Sequence, residues 1–294
     1  MLQQRLIPAP AAASSTTSVP VAGSLGAELV PGGQVGRLTR WVALAVIFFL
    51  ADAVQLLLLL PDRTGELFAW AINPQVTSFV LAAAYVAGAY FFIRVVMVDS
   101  WHRVAAGFPA VIVFVWGAAG ATALHLDRFI HDGLSFAAWA AIYAIAPVGL
   151  PLLYLARRRA ARVLPLADTP LSSRTRILLA GVGGAVVLAA LLAFALPQTT
   201  IDVWPWTVTP LTARIVATVM ALFGSLWVSV AVSGGTTAAR IPLEAHGLGL
   251  GFLLIAAGRG HGDVDWTNPL AAILVAGVAA MVLVDVATLA RARR

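Results

Sequence analysis

Long apolar runs separated by short polar breaks dominate this chain from residue 41 onward. They fall at 41–60, 76–97, 104–124, 134–155, 177–196, 211–232, 241–257 and 269–289. A spanning helix needs about 20 apolar residues to cross about 30 Å of hydrocarbon at roughly 1.5 Å per residue. Each run is long or nearly long enough, the seventh being the shortest. The pattern predicts an all-α polytopic membrane bundle of about eight transmembrane helices. Residues 1–36 are rich in Ala, Ser, Thr, Pro and Gly, contain no such run, and read as a disordered tail.

The polar breaks set an orientation. All 19 basic residues are arginine and the formal charge is +6, which suggests nucleic acid until the positions are plotted. With the amino terminus inside, fifteen arginines lie in inner regions, from Arg5, Arg37 and Arg40 through Arg157–Arg159 to Arg291–Arg294. Arg63, Arg128 and Arg259 lie outside, and Arg214 sits in the first turns of span six. Arginines in short loops are retained on the cytoplasmic side, so both termini are expected there. Seven acids, among them Asp127, Asp263 and Asp265, fall outside. The lipid bilayer is the expected partner and nucleic acid is not; a homo-oligomer or another membrane protein is a possible further partner.

Composition agrees: 61% of residues are hydrophobic, 11% are charged, and mean hydropathy is +0.92. The absence of cysteine excludes disulfides, thiolate metal ligands and cysteine nucleophiles. The abundance of alanine, with arginine and no lysine, suggests a high-GC bacterium and hence a bacterial plasma membrane.

Sliding the sequence against itself reveals an offset of 136 residues from span one to the end of span three. It superposes Pro61 on Pro197, Trp70 on Trp206, Pro74 on Pro210, Gly88 on Gly224, His125 on His261 and Asp127 on Asp263. A repeat of four spans returns the chain to its starting side, so the halves would share topology as a parallel four-plus-four tandem. The expected units are a first repeat over 37–163, a cytoplasmic linker over 164–176 and a second repeat over 177–294.

Asn73 and Thr209 stand where N-caps belong, before Pro74 and Pro210 at the first helical positions. These motifs anchor spans two and six at the outer interface. Facing each other, two such N-termini would offer N–H groups to an anion, with Arg214 adding charge. The loops HLDRFIHD and HGDVD carry His125, Asp127, His261 and Asp263, types that bind divalent metals when thiolate is absent. The same residues also suit an ordinary wetted loop, and no cofactor is otherwise expected.

Inside the spans, Asp52 lies about halfway along the first, with Gln55 three residues on. An aspartate there costs about 2.5–3.5 kcal/mol, so it should face a partner, a wet cavity or a proton. The offset puts Leu188 at the equivalent position. Glu244 and His246 read as an interfacial turn, and Asp285 as pairing with an arginine such as Arg291. Pro147 and Pro151 should loosen span four. No phosphate loop, HExxH, GxSxG or dinucleotide fingerprint occurs, which makes a familiar enzyme activity improbable.

The segment WPWTVTPLTAR, Trp204 to Arg214, and the run LHLDRF, Leu124 to Phe129, resemble segments of uncharacterised multi-pass bacterial membrane proteins. The resemblance implies a multi-pass fold and brings no activity with it. Three functions remain in order: a transporter or permease for a small or lipidic solute, a metal-binding membrane enzyme or redox protein, and a non-catalytic scaffold.

Overall fold

The computed structural model describes residues 33–161 and 168–292. Among them are eight helices long and apolar enough to cross a membrane. They are α1 (Arg37–Leu59), α2 (Gln75–Met97), α3 (Phe108–Leu124), α4 (Leu134–Ala161), α5 (Ser173–Ala195), α6 (Pro210–Ser233), α7 (Thr236–Arg259) and α8 (Pro269–Ala292). No strand occurs among the described residues; the protein is an integral membrane helix bundle. Most of the expected tail, residues 1–32, lies outside the described residues, as do 162–163 at the end of the first expected repeat and 164–167 of the linker. Val35, read as tail, is buried, and its N–H donates to the Asp99 carbonyl.

Burial sorts the helices. In α6, 72% of the spanning window is buried, against 11% in α1. Thus α2 and α6 form the centre, while α1, α4, α5 and α8 turn apolar side chains such as Phe48, Ile145, Leu191 and Leu283 outward, as lipid-facing helices do. The packing partners are α1 with α2, α5 with α6, α2 with α7, α3 with α6, α3 with α4, and α7 with α8.

Several contacts recur along the chain. The isolated bridge between Gln34 and Ser100 is matched by one between Pro170 and Gly235. Val35 N–H donates to Asp99 as Leu171 N–H does to Gly234, and Ile130 N–H donates to Ala69 as Asp265 N–H does to Pro205. Arg40 binds the Val96 carbonyl, and Arg176 that of Ala231. In every pair the earlier residues lie 136 apart and the later ones 135 apart. A spacing of 135 runs from His125 to Gly260, and one of 136 from His125 to His261.

Helix starts follow their caps. Thr209 caps α6 by a reciprocal pairing with Thr212, and Pro210 takes the first turn. At α2 the expected frame shifts by one, because Pro74 itself is the N-cap and Asn73 precedes it. The Val76 N–H is satisfied from a distance by Asp263.

Candidate functional site

The most deeply buried polar cluster joins α6, α7 and α8. His246 and Asp285 are 0% and 1% exposed, and His246 Nδ1 lies 2.5 Å from Asp285 Oδ2. Trp227 Nε1–H donates to Asp285 Oδ1 at 2.7 Å. His246 Nε2 faces the Phe223 carbonyl at 3.2 Å, and the Trp227 and Phe223 rings flank the imidazole.

Donor and acceptor counting fixes the proton inventory. A carbonyl only accepts, so Nε2 carries a hydrogen. The short Nδ1–Oδ2 contact then holds one proton, whichever atom it is drawn on. The pair is therefore neutral overall, a form that low-dielectric surroundings tolerate. With one proton fewer the buried pair would carry a net negative charge, and a neutral imidazole could donate to only one of its two acceptors, Asp285 Oδ2 or the Phe223 carbonyl.

Neither residue behaves as the sequence suggested. The α7 helix begins at Thr236, so His246 lies ten residues inside it rather than in an interfacial turn. Asp285 turns to His246 and Trp227, not to Arg291. Glu244 does sit nearer the arginine-rich end, but within a network. It accepts from Tyr90 Oη at 2.8 Å, Arg94 at 2.6 Å and Arg240 Nε at 3.0 Å, tying α2 to α7.

Toward the acidic end, a cavity of about 120 Å³ is lined by Trp204, Trp206, Trp266, Val216, Met220 and Phe223 among others. One of its lining residues, Phe223, is the one whose carbonyl meets His246. The Trp206 indole donates to Thr77, whereas the buried Trp204 N–H has no acceptor among the described residues. Buried donors are nearly always paired, so an orphan beside a cavity is notable.

The residues singled out from sequence are dispersed. Asp52 lines a second cavity, of about 140 Å³, between α1, α2 and α4. Gln55 donates to the Ala51 carbonyl of its own helix. Arg214 holds the Phe194 carbonyl and, at 2.6 Å, His125 Nε2. A guanidinium only donates, so that ring nitrogen is committed as an acceptor. Burial first, then the charge of Arg214, lowers the His125 pKa. Asp127 pairs with Arg128, Asp263 caps α2, and His261 stacks on Trp266. No group of three or more His, Asp or Glu side chains converges to hold a metal among the described residues. The two helix N-termini expected to share an anion are already served by Asp263 and by Thr209 with Thr212.

At the arginine-rich end, Asp168 accepts from the backbone N–H groups of Thr237 and Ala238 at the start of α7 and contacts His102 at 2.9 Å. Burial pushes its carboxyl up, but the hydrogen bonds from Thr237, His102 and Ala238 outweigh it and bring the pKa down to about 2. A depressed carboxylate stabilises above its unfolded pKa of about 3.9 and loses that contribution as pH falls to about 2. The thermal unfolding midpoint in detergent should therefore drop across that window, and Asp168→Asn should flatten that part of the profile. An unchanged profile in the variant would show that Asp168 carries no such linkage.

Comparison with protein families, curated proteins and solved structures finds no match to this chain. What can be said of function rests on the geometry above.

Proposed function

We propose that this membrane protein is a tandem of two four-helix halves working as a proton-coupled permease for a small lipidic solute. The observation that carries the reading is the neutral His246–Asp285 pair, holding one proton at full burial between α7 and α8. Ionisable groups inside a bundle commonly mark proton or substrate paths.

The matched contacts, such as Gln34–Ser100 with Pro170–Gly235, support the tandem. They also supply an internal control. In their register Trp227, His246 and Asp285 correspond to Phe91, Val111 and Leu150, all apolar. The first half thus fills the equivalent positions without polar groups, so packing alone does not call for the second half's triad. The cavity beside Phe223, lined almost wholly by apolar and aromatic side chains, suits an apolar solute. Loss of the shared proton would leave either Asp285 Oδ2 or the carbonyl of the cavity-lining Phe223 without its donor, and so couple proton movement to the cavity. The arginine asymmetry supports cytoplasmic termini, and the alanine- and arginine-rich, lysine-free composition supports a bacterial plasma membrane.

The test is proton uptake into proteoliposomes under an inside-negative potassium diffusion potential, read with an entrapped pH dye. Medium-chain alcohols and amines serve as probe solutes, and empty liposomes as the blank. Wild type should show solute-dependent uptake that Trp227→Phe/His246→Val/Asp285→Leu abolishes. Equal uptake by wild type and this variant, or none above empty liposomes, would remove the proton-coupled reading.

A further inference from the structure

Asp52 is the charged group that the mechanism above leaves unused. It lies seven residues from the end of α1, about 10 Å along the helix at roughly 1.5 Å per residue, and so within the hydrocarbon. Its side chain is exposed at the bundle surface and makes no hydrogen bond or ion pair among the described residues. An unpartnered carboxylate at that depth is costly, and the residues around it indicate what could relieve the cost.

The 140 Å³ cavity beside Asp52 is walled by Phe49, Phe68, Tyr85, Trp139 and Tyr143. It continues into a groove of about 450 Å³ between α1 and α4, sharing Val46, Phe49 and Ile142 with it. That groove is lined by aliphatic and aromatic side chains, with Leu38 and Leu153 toward the arginine-rich end. A carboxylate that shares its cavity with five aromatic side chains, beside an apolar trough, is complementary to a cation with a greasy body: aromatic rings attract positive charge through their quadrupoles and the trough takes the apolar part. An anion would meet the carboxylate, and a neutral lipid would leave it unpaired.

We infer that the crevice between α1 and α4 binds lipophilic organic cations entering from the bilayer, with Asp52 as the counter-charge and Trp139 and Tyr143 against the cationic head. The crevice shares no lining residue with the cavity beside Phe223 on which the permease reading draws, and it is tested by binding alone so that the two fail separately. The second half has Leu188, Leu274 and Val278 at the positions of Asp52, Trp139 and Tyr143, so the cation site is confined to the first half.

Equilibrium dialysis of radiolabelled tetraphenylphosphonium against the full chain in lipid nanodiscs, with empty nanodiscs subtracted, measures the site. Triphenylphosphine oxide serves as the neutral isostere. Wild type should bind the cation saturably, and Asp52→Asn should weaken it about tenfold or more while binding of the oxide is unchanged. Asp52→Glu, which keeps the charge, should retain most of the affinity and guards against a folding defect in Asp52→Asn. Equal cation affinity in wild type and Asp52→Asn, or no saturable binding by wild type, would overturn the inference. Intact proton uptake in that case would leave the permease reading standing, whereas cation binding without proton uptake would retain this site and remove the permease.

Discussion

Truncating Asp285 to alanine is expected to cost about 3–5 kcal/mol, the range for breaking a buried pair by removing one partner. Two donors lose their acceptor at once, the Trp227 indole at 2.7 Å and His246 Nδ1 at 2.5 Å, in a site closed to solvent. Asp285→Asn keeps an acceptor for Trp227 and should cost less, about 1–3 kcal/mol. Replacing the whole cluster by the first half's residues, Trp227→Phe/His246→Val/Asp285→Leu, leaves nothing unsatisfied, and apolar replacement of a buried ionic group is often neutral or better. The triple variant should therefore unfold close to the wild-type temperature while failing to take up protons. A thermal unfolding series in one detergent decides this. An Asp285→Ala midpoint within about 2 °C of wild type would mean that the cluster is not the closed, fully paired unit described.

That contrast between a stability penalty for one change and none for three separates a structural polar cluster from a functional one. If the cluster existed only to hold α7 to α8, an apolar set of side chains would serve equally well. What the apolar set cannot do is hold a proton.

The spans were legible because lipid imposes one requirement, length of apolar run, and each helix meets it. The pairings were not. His246 read as interfacial because hydropathy undervalues the first half of α7, where Thr236, Thr237, Arg240 and Glu244 interrupt the apolar run. Those residues are tolerated inside a long helix because Glu244 is neutralised by Arg94 and Arg240 across the α2 contact, and no window average encodes a partner 150 residues away. Asp285 was assigned to the nearest arginine along the sequence, whereas its partner sits on the neighbouring helix. Asp52 was legible from position alone, since any carboxylate in mid-span calls for an explanation. The His125–His261 equivalence came from an ungapped offset. The matched contacts, with spacings of 136 and 135, could not be seen from sequence, because they lie between segments far apart along the chain.

Gly183→Ala and Gly224→Ala should each destabilise the bundle by about 1–3 kcal/mol, the cost of overpacking a close contact. A Cβ on Gly183 would sit 2.7 Å from the Gly224 carbonyl oxygen, and one on Gly224 would sit 2.8 Å from that of Gly183. Both obstacles are backbone, so no rotamer change relieves them and α5 must move away from α6, as small-residue contacts between spanning helices imply. Gly88 holds the matching position in α2, yet a Cβ there meets only the Leu50 Cδ1 at 3.0 Å, the tip of a flexible side chain. Gly88→Ala should therefore cost less than about 1 kcal/mol. Unfolding midpoints of the three variants, measured side by side, check the difference; equal shifts would mean that α1 and α5 are held alike. The expected asymmetry bears on mechanism. Where α5 seats backbone to backbone on α6, the helix is fixed against its partner, whereas α1 meets α2 at Gly88 through a flexible leucine tip and carries Asp52 on the side that opens to lipid. A side-chain contact at Gly88 and backbone contacts at Gly183 and Gly224 thus give the two helix pairs different tolerance of an added methyl group.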